Sequence, residues 1–255
     1  MKITAFVGSA RKKHTYNAVN QFLNKLKSFG DIEYEIIRLS EYDLKICNGC
    51  KLCLDKGEEL CPLKDDIDIL IKKMMNSDGI IFASPNYSFH ISGIMKVFLD
   101  RLAYLFHRPQ FFGKTYTNIV TQGIYGGSKI IKYLDNIGDR LGFNVVRGCC
   151  IKTLEPISEK QKRRNDKKIN ELSKKYYFQL IKQEYPTPTT FKLMLFRMSR
   201  SSIQKSLNEE YKDYRYYREK GWFESGYYYP VKLNLFKKLL GNIFDKIGTQ
   251  MSNND

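Results

Sequence analysis

The sequence predicts an α/β protein built on a parallel β-sheet. Short, largely apolar runs at residues 2–7, 33–39, 78–83, 115–121 and 144–150 alternate with stretches whose apolar residues recur at helical spacing. The third run is continuously apolar from residue 79 to residue 83, which is typical of a strand buried on both faces. Strands that alternate with helices form βαβ units with parallel strands. We therefore expect five parallel strands with helices between them.

The composition sets limits on compartment and partners. The 255 residues are 42% hydrophobic and 27% charged, which is compatible with one large domain or with one domain plus an appendage. The first apolar run is too short for a signal peptide, and no run approaches the roughly 18 residues of a membrane helix, so we expect a cytoplasmic protein. The net charge of +16 favours anionic partners. Four of the six cysteines lie between Cys47 and Cys61, which in a reducing compartment indicates metal or redox chemistry.

The turn after the first predicted strand has the residues of an anion site. Residues 8–17 (GSARKKHTYN) join that strand to a helix, and such a junction directs backbone N–H groups and the positive end of the helix dipole to one point. Ser9 and Thr15 add hydroxyls, and Arg11 adds charge. The loop lacks the further glycines of a dinucleotide fingerprint and the Gly-Lys-Ser/Thr of a triphosphate loop, which favours a phosphate monoester. The alternative is an ordinary turn capped by Ser9 or Thr15.

Two further loops are expected beside it, because the carboxyl ends of parallel strands meet at one edge of a sheet. Residues 84–91 follow the third strand, and residues 121–128 follow the fourth. Pro85, Asn86 and Tyr87 offer a wall for a flat ring, and the glycines of the later loop allow close backbone approach. The three loops together predict a flavin site.

The residues at these positions resemble a known family. Gly8-Ser9-Ala10-Arg11-Lys12, Asp65-Asp66 and Ser84-Pro85-Asn86-Tyr87, followed by Lys96, Phe98, Asp100 and Arg101, resemble the NADPH-dependent FMN reductase branch of the flavodoxin-like superfamily. The resemblance covers residues 1–155. It implies a doubly wound, five-stranded parallel sheet in the order 2-1-3-4-5, bound FMN, NAD(P)H as co-substrate and a homodimer.

The resemblance also implies roles for particular residues. Ser9, Arg11 and Thr15 would hold the FMN phosphate, with Tyr16 and Asn17 beside them. The isoalloxazine ring would contact Pro85, Asn86 and Tyr87, and its far edge would lie against Gly123, Tyr125, Gly126 and Gly127. The sequence departs from the family at Asn86, where a branched apolar residue is common, at Ser88, where a tryptophan is common, and at His14, where a small polar residue is common.

The cysteines form a compact motif, Cys47-x-x-Cys50-x-x-Cys53, followed by Cys61-Pro62. Thiolates at this spacing suit one four-iron four-sulfur cluster, and the motif resembles that of iron–sulfur flavoproteins. Three alternatives stand beside it: a four-thiolate zinc site, a redox-active dithiol, and a loop that has kept its cysteines without a metal. Cys149 and Cys150 end a predicted strand, and we expect them in the core.

We expect residues 1–185 to form the FMN-binding domain and residues 186–255 to form a basic, aromatic-rich helical extension that begins at Pro186-Thr187-Pro188. Apolar residues at helical spacing from Leu233 to Ile247, among lysines, predict a basic amphipathic helix. We expect this helix to pack against the sheet domain or a second subunit. Peripheral contact with an acidic membrane is the alternative, and we do not expect nucleic acid to be the partner.

These observations predict an oxidoreductase that takes hydride from NAD(P)H onto FMN and passes electrons to a quinone, flavin, nitro-compound or protein acceptor. The alternative is an electron carrier in which a cluster at the cysteines relays electrons between a ferredoxin-like protein and FMN. A third interpretation is a binding module that has lost its flavin.

Overall fold

The computed structural model describes residues 1–251. The chain divides into two compact units. Of the described residues, the first unit contains 1–48, 63–102 and 109–183, and the second contains 49–62, 103–108 and 184–251. The second unit thus takes in two short segments that precede the predicted extension. The division of the chain at residues 185 and 186 stays a prediction.

The first unit contains the predicted parallel sheet. Its strands are β1 (Lys2–Val7), β2 (Glu33–Arg38), β3 (Gly79–Pro85), β4 (Thr115–Gln122), β5 (Asn144–Val145) and β6 (Cys149–Lys152). They run in the order β2-β1-β3-β4-β5, with β6 also paired to β4, and every pairing is parallel. The flavodoxin-like order predicted from the sequence is confirmed.

The helices of the described residues are α1 (His14–Lys27), α2 (Leu52–Asp55), α3 (Ile67–Met75), α4 (Gly93–Arg101), α5 (Ala103–His107), α6 (Gly127–Arg140), α7 (Glu159–Lys182), α8 (Thr190–Ser206), α9 (Lys212–Glu219) and α10 (Leu235–Met251).

Helices cover both faces of the central strands. Alternate residues of β1, from Ile3 to Val7, pack with buried residues of α1 and α7. Phe6 points to the opposite face, where its ring centroid lies 5.3 Å from that of Phe98 in α4. All seven residues of β3 are buried, which explains the continuous apolar run in the sequence.

The predicted fifth strand is divided into β5 and β6. The Gly148 N–H donates to the Asp135 carboxylate at 3.1 Å, and the Asn118 amide donates to the same oxygen at 2.7 Å. A Cβ at Gly148 would lie 2.2 Å from Asn118 Oδ1, so only glycine allows this approach. The Gly148 N–H therefore bonds to a side chain, whereas in a continuous strand it would donate to the backbone of the neighbouring strand.

The helical pattern of apolar residues over residues 92–105 is also divided, into α4 and α5. Ser92 caps its start, since the Ser92 hydroxyl accepts the Met95 N–H at 3.4 Å. At the other end the Leu102 N–H bonds to the Leu99 carbonyl three residues earlier, which closes α4 with a tighter turn. The apolar spacing continues across this break, so periodicity alone could not reveal it.

The second unit has an aromatic core around the single tryptophan of the chain, Trp222. Its ring centroid lies 4.7 Å from that of Tyr228 and 4.9 Å from that of Tyr217, and its indole N–H donates to the Tyr228 carbonyl at 3.0 Å. Phe196 of α8 packs on Tyr228 at 4.5 Å. Trp222 fluorescence therefore reports on the folding of this unit.

Asp245 joins α10 to α8. Its carboxylate accepts hydrogen bonds from the Arg197 guanidinium, from Arg200 at 2.8 Å and from the Ser201 hydroxyl at 2.9 Å. Burial alone would raise the pKa of the Asp245 carboxyl, but the hydrogen bonds from Arg200, Ser201 and Arg197 outweigh burial and lower that pKa below its usual value. The folded unit therefore binds fewer protons at this group than the unfolded chain does.

We predict that Asp245→Asn destabilises the second unit at pH 7 and that the difference from wild type shrinks in acid. A carboxyl whose pKa is lower when folded contributes fully above its unfolded pKa of about 3.9, and that contribution is lost as the pH falls through the folded pKa. Urea unfolding followed by Trp222 fluorescence at neutral and acid pH measures both differences. Glu219→Gln on α9, an exposed residue, is the control. A difference between wild type and Asp245→Asn that is independent of pH would contradict the prediction.

Candidate functional site

A cleft of about 130 Å³ opens in the first unit, at the carboxyl ends of β1, β3 and β4. Seven of the residues predicted to bind FMN line it: Ser9, Arg11, Thr15, Pro85, Asn86, Tyr87 and Gly123. Five others complete the lining: Lys13, His14, Thr121, Gln122 and Thr153. The topology thus brings the three predicted loops together.

The loop after β1 forms the basic end of this cleft. A Cβ at Gly8 would lie 2.7 Å from Ser92 Oγ and 2.8 Å from Met95 Cβ, so the close packing of this turn requires glycine. Ser9 is buried, and its hydroxyl donates to the Arg11 carbonyl at 3.1 Å. Helix α1 starts at His14 with no side-chain cap and no acidic residue in its first turn. Its first N–H groups and positive dipole end therefore suit an anion.

Thr15 ties this loop to the neighbouring strand. Its hydroxyl lies 2.7 Å from the Thr121 hydroxyl at the end of β4, and both side chains are buried. The hydrogen bond fixes the first turn of α1 against β4. It also uses part of the hydrogen-bonding capacity of the Thr15 hydroxyl, which the resemblance assigns to binding the FMN phosphate.

Asn86 forms a wall of the cleft and leaves one acceptor unused. Its backbone N–H donates to the Thr121 carbonyl at 2.7 Å, and its side-chain Nδ2 donates to the Tyr125 carbonyl at 2.8 Å. Its Oδ1 is buried and has no hydrogen-bond partner among the described residues. A buried acceptor without a partner is costly, and the imide N–H of a flavin ring is a donor that would satisfy it. The residues of the cleft thus fit FMN at both ends: a basic, hydroxyl-bearing loop and an amide that lacks a donor.

An aromatic rim stands beside Asn86. Tyr87 and His90 exchange backbone hydrogen bonds around a two-residue turn, in which Ser88 and Phe89 have φ values of 48° and 63°. Side chains other than glycine rarely adopt two successive left-handed positions, so the turn is strained. The Phe89 ring lies 5.2 Å from that of Tyr125, and both side chains are exposed. Phe89 could not be found from the sequence, because neither Ser88 nor Phe89 is the glycine or asparagine that signals such a turn.

Five of the predicted site residues do not line the cleft: Tyr16, Asn17, Tyr125, Gly126 and Gly127. Asn17 faces a separate depression along α1, and the Tyr16 ring lies 5.8 Å from Lys12 Nζ. Gly126 has a φ of 98°, and the Gly127 N–H donates to Gln122 Oε1 at 2.6 Å. These two glycines shape the loop that carries Gln122 and Gly123.

The predicted metal ligands are not gathered into a centre. Within residues 1–251, no three or more His, Cys, Asp or Glu side chains form a group that could hold a metal ion. Cys47 and Cys50 are exposed, whereas Cys53 and Cys61 are half-buried. As described, the cysteine side chains do not fit a bound cluster.

The ends of the cysteine loop are nevertheless anchored in the first unit. The buried Asp65 carboxylate accepts the Lys45 N–H at 2.8 Å and forms an ion pair with Arg101, which is also buried. The Asp66 carboxylate accepts the Asp43 N–H at 2.8 Å. Asp65 and Asp66 stand just before the start of α3 at Ile67, and their carboxylates close the loop by holding residues 43–45.

The sheet order and this cleft define a flavodoxin-like protein. A model of the NADPH-dependent FMN reductase family matches residues 1–152, and the chain belongs to that family. The family makes it an FMN-dependent oxidoreductase.

An iron-sulfur flavoprotein of Archaeoglobus fulgidus is 32% identical over 159 residues, which are 58% of this chain and 71% of the relative. An iron-sulfur flavoprotein of Clostridioides difficile is 29% identical over 191 residues, 73% of this chain and 82% of the relative. In two further relatives of that name, the match to this chain covers only 48% and 51% of the relative's length. A structure of RosB with bound 8-demethyl-8-formylriboflavin-5′-phosphate has a TM-score of 0.55 at 14% identity over 92% of each chain, which shows a shared fold.

Proposed function

We propose that this protein binds FMN in the cleft, takes hydride from NAD(P)H and passes the electrons to a quinone, flavin, nitro-compound or protein acceptor. The observation that carries the proposal is the convergence of Ser9, Arg11 and Thr15 with Asn86 on one cleft. FMN supplies the hydride-accepting chemistry when bound, and the protein supplies position and electrostatics.

Each part of the cleft has a separate task in this proposal. Ser9, Arg11 and the first turn of α1 bind the phosphate. Asn86 Oδ1 accepts a hydrogen bond from the ring, and Nδ2 holds the amide in place through the Tyr125 carbonyl. The cleft of about 130 Å³ is smaller than the roughly 300–1,000 Å³ of a complete ligand pocket, so part of the ring would extend beyond it. Arg11, Lys12 and Lys13 attract the phosphates of the pyridine nucleotide.

We predict that NADPH or NADH bleaches the flavin absorbance of the purified protein without air. Stopped-flow absorbance with each nucleotide in turn measures the rate and the preference between them. Dithionite is the control, because it reduces any bound flavin without a nucleotide site. Reduction by dithionite with no bleaching by either nucleotide would disprove the pyridine-nucleotide step.

A second candidate is an electron carrier in which Cys47, Cys50, Cys53 and Cys61 hold a four-iron four-sulfur cluster that would relay electrons between a ferredoxin-like donor and FMN. The names of the relatives, the cysteine spacing and the anchored loop ends support it, and the present arrangement of the thiols does not. Iron and acid-labile sulfide analysis of protein purified without air tests it. Flavin bands without iron would leave the cysteines as a loop.

The oligomeric state and the cellular compartment also belong to this proposal. We propose a homodimer in the cytoplasm. Sedimentation equilibrium measures the subunit count directly, and fractionation of the cells that make the protein tests the compartment.

A further inference from the structure

Helix α10 is packed with its small and polar side inward. A Cβ at Gly248 would lie 2.5 Å from the Met198 carbonyl oxygen of α8, and a Cβ at Gly241 would lie 3.1 Å from the Arg197 guanidinium carbon. Asn242 and Asp245 accept hydrogen bonds from Arg197 between the two helices. The helix therefore meets α8 through glycines and a partly buried polar network, which is the reverse of ordinary amphipathic packing.

The apolar side of α10 is left exposed. At 3.6 residues per turn, each step of four residues advances the position around the helix by about 40°, so residues 235, 239, 243, 247 and 251 spread over one broad side. Residue 236 lies on the same side, and Gly241 and Gly248 lie on the other. Five side chains of this side are more than half exposed: Leu235, Phe236, Leu239, Ile243 and Met251. Ile247 continues the same side at 38% exposure. We call these six residues the α10 apolar row. Over 17 residues, the helix is about 25 Å long.

The net charge of α8 and α10 is positive. Helices α8 and α10 together carry Lys192, Arg197, Arg200, Lys205, Lys237, Lys238 and Lys246, against Asp245 as the single acidic residue. The Asp245 carboxylate is bound by Arg197 and Arg200. Lys238 and Lys246 are exposed, as is Lys232 just before the helix. The outward surface thus combines a continuous apolar row with lysines and no exposed carboxylate on either helix.

We propose that the α10 apolar row is a docking surface for an anionic lipid bilayer. An amphipathic helix with lysines beside its apolar side lies in the plane of a membrane interface, with the apolar side chains inserted and the lysines at the headgroups. No described helix is long and apolar enough to cross a membrane, so the contact is peripheral. The proposal needs neither bound flavin nor catalytic activity.

The same features disfavour other occupants. A second copy placed face to face would bring two sets of lysines together, at the cost of like-charge repulsion. Single-stranded nucleic acid binds through aromatic rings on which bases stack, and only Phe236 in this row has a ring. A bilayer with anionic headgroups suits both features, because the headgroups attract the lysines and the acyl chains receive the aliphatic side chains.

Co-sedimentation of the full-length protein with vesicles tests the proposal. We expect binding to phosphatidylcholine vesicles that contain phosphatidylglycerol, weaker binding to phosphatidylcholine alone, and release at high salt. Leu239→Asp/Ile243→Asp should lower the partition coefficient at least about tenfold, because inserted aliphatic side chains supply much of the affinity. Lys238→Glu/Lys246→Glu should remove the preference for anionic vesicles.

The matched control is Phe178→Asp/Ile181→Asp, which places the same two charges at exposed apolar positions of α7. It should bind vesicles like wild type. Equal loss in both double variants, or no binding of wild type to anionic vesicles, would overturn the proposal. It would also be overturned if sedimentation equilibrium showed a dimer that Leu239→Asp/Ile243→Asp dissociates, or if the row bound a single-stranded oligonucleotide but not vesicles.

Discussion

Replacing Arg108 with methionine is expected to destabilise the second unit by about 3–5 kcal/mol, the usual cost of removing one partner from a buried ion pair. The Arg108 side chain is fully buried. Its guanidinium pairs with the Asp213 carboxylate, donates to the Cys53 carbonyl at 2.7 Å and lies 2.9 Å from Glu58. The variant leaves the nearly buried Asp213 carboxylate without this partner. Urea unfolding followed by Trp222 fluorescence measures the loss.

Two further variants test whether the loss of stability comes from breaking the buried ion pairs of Arg108 or from removing any positive charge. Arg218→Ala removes an exposed pair with Glu209 in the same unit and should change the free energy of unfolding by no more than about 1 kcal/mol. Arg108→Met/Asp213→Asn removes the stranded carboxylate as well and should be more stable than Arg108→Met alone. A double variant no more stable than Arg108→Met would show that the loss comes from packing.

Arg108 also links the cysteine segment to the rest of the second unit. Its bonds to Cys53 and Glu58 hold the segment from residue 49 to residue 62, while Arg215 donates to the Lys56 carbonyl at 3.1 Å. This role of Arg108 has no signal in the sequence, because an arginine at the end of a helical pattern gives no indication of burial. Only the partners, which lie 50 to 105 residues away, reveal it.

The sheet was predictable because buried strands have a recognisable local pattern of apolar residues in the sequence. β3 is buried along its whole length, so its residues read as an unbroken apolar run. The divided fifth strand was not predictable, because it depends on Gly148 meeting Asp135 and Asn118 from other elements. Helix α10 is the opposite case. Its amphipathic pattern predicted the helix, but the pattern favours burial of the apolar side and the packing on α8 uses the other side.

The site was predictable where one loop supplies its chemistry. Ser9, Arg11 and Thr15 lie in a single turn, and Pro85, Asn86 and Tyr87 follow one buried strand. Thr153 was missed, since it joins the cleft only through the pairing of β6 with β4, where its N–H donates to the Gln122 carbonyl at 2.8 Å. Sequence distance hides such residues until the strand register is known.

The second large effect is expected on FMN affinity, from changes in the loop after β1 that contains Ser9 and Arg11. Ser9→Ala/Arg11→Ala is expected to weaken FMN binding by about 100-fold or more. Hydrogen bonds to a charged group contribute about 1.5–3 kcal/mol each, and 1.4 kcal/mol is a factor of ten in affinity. Quenching of FMN fluorescence on titration with flavin-free protein measures the dissociation constant. Riboflavin, which lacks the phosphate, should bind wild type and variant alike, because in the proposed site the changed side chains contact the phosphate and not the ring.

Lys12→Ala is the matched control within the same loop, because Lys12 is a cation that does not line the cleft and instead lies over the Tyr16 ring. If FMN binding depends on direct contact with Arg11, this variant should lose far less affinity than Arg11→Ala, and the loss should disappear at high salt. If the two single variants weaken FMN binding equally, the loop acts through its general positive field. Equal loss of riboflavin and FMN in the double variant would instead show that the loop itself had collapsed, since a contact with phosphate cannot affect a ligand that has none.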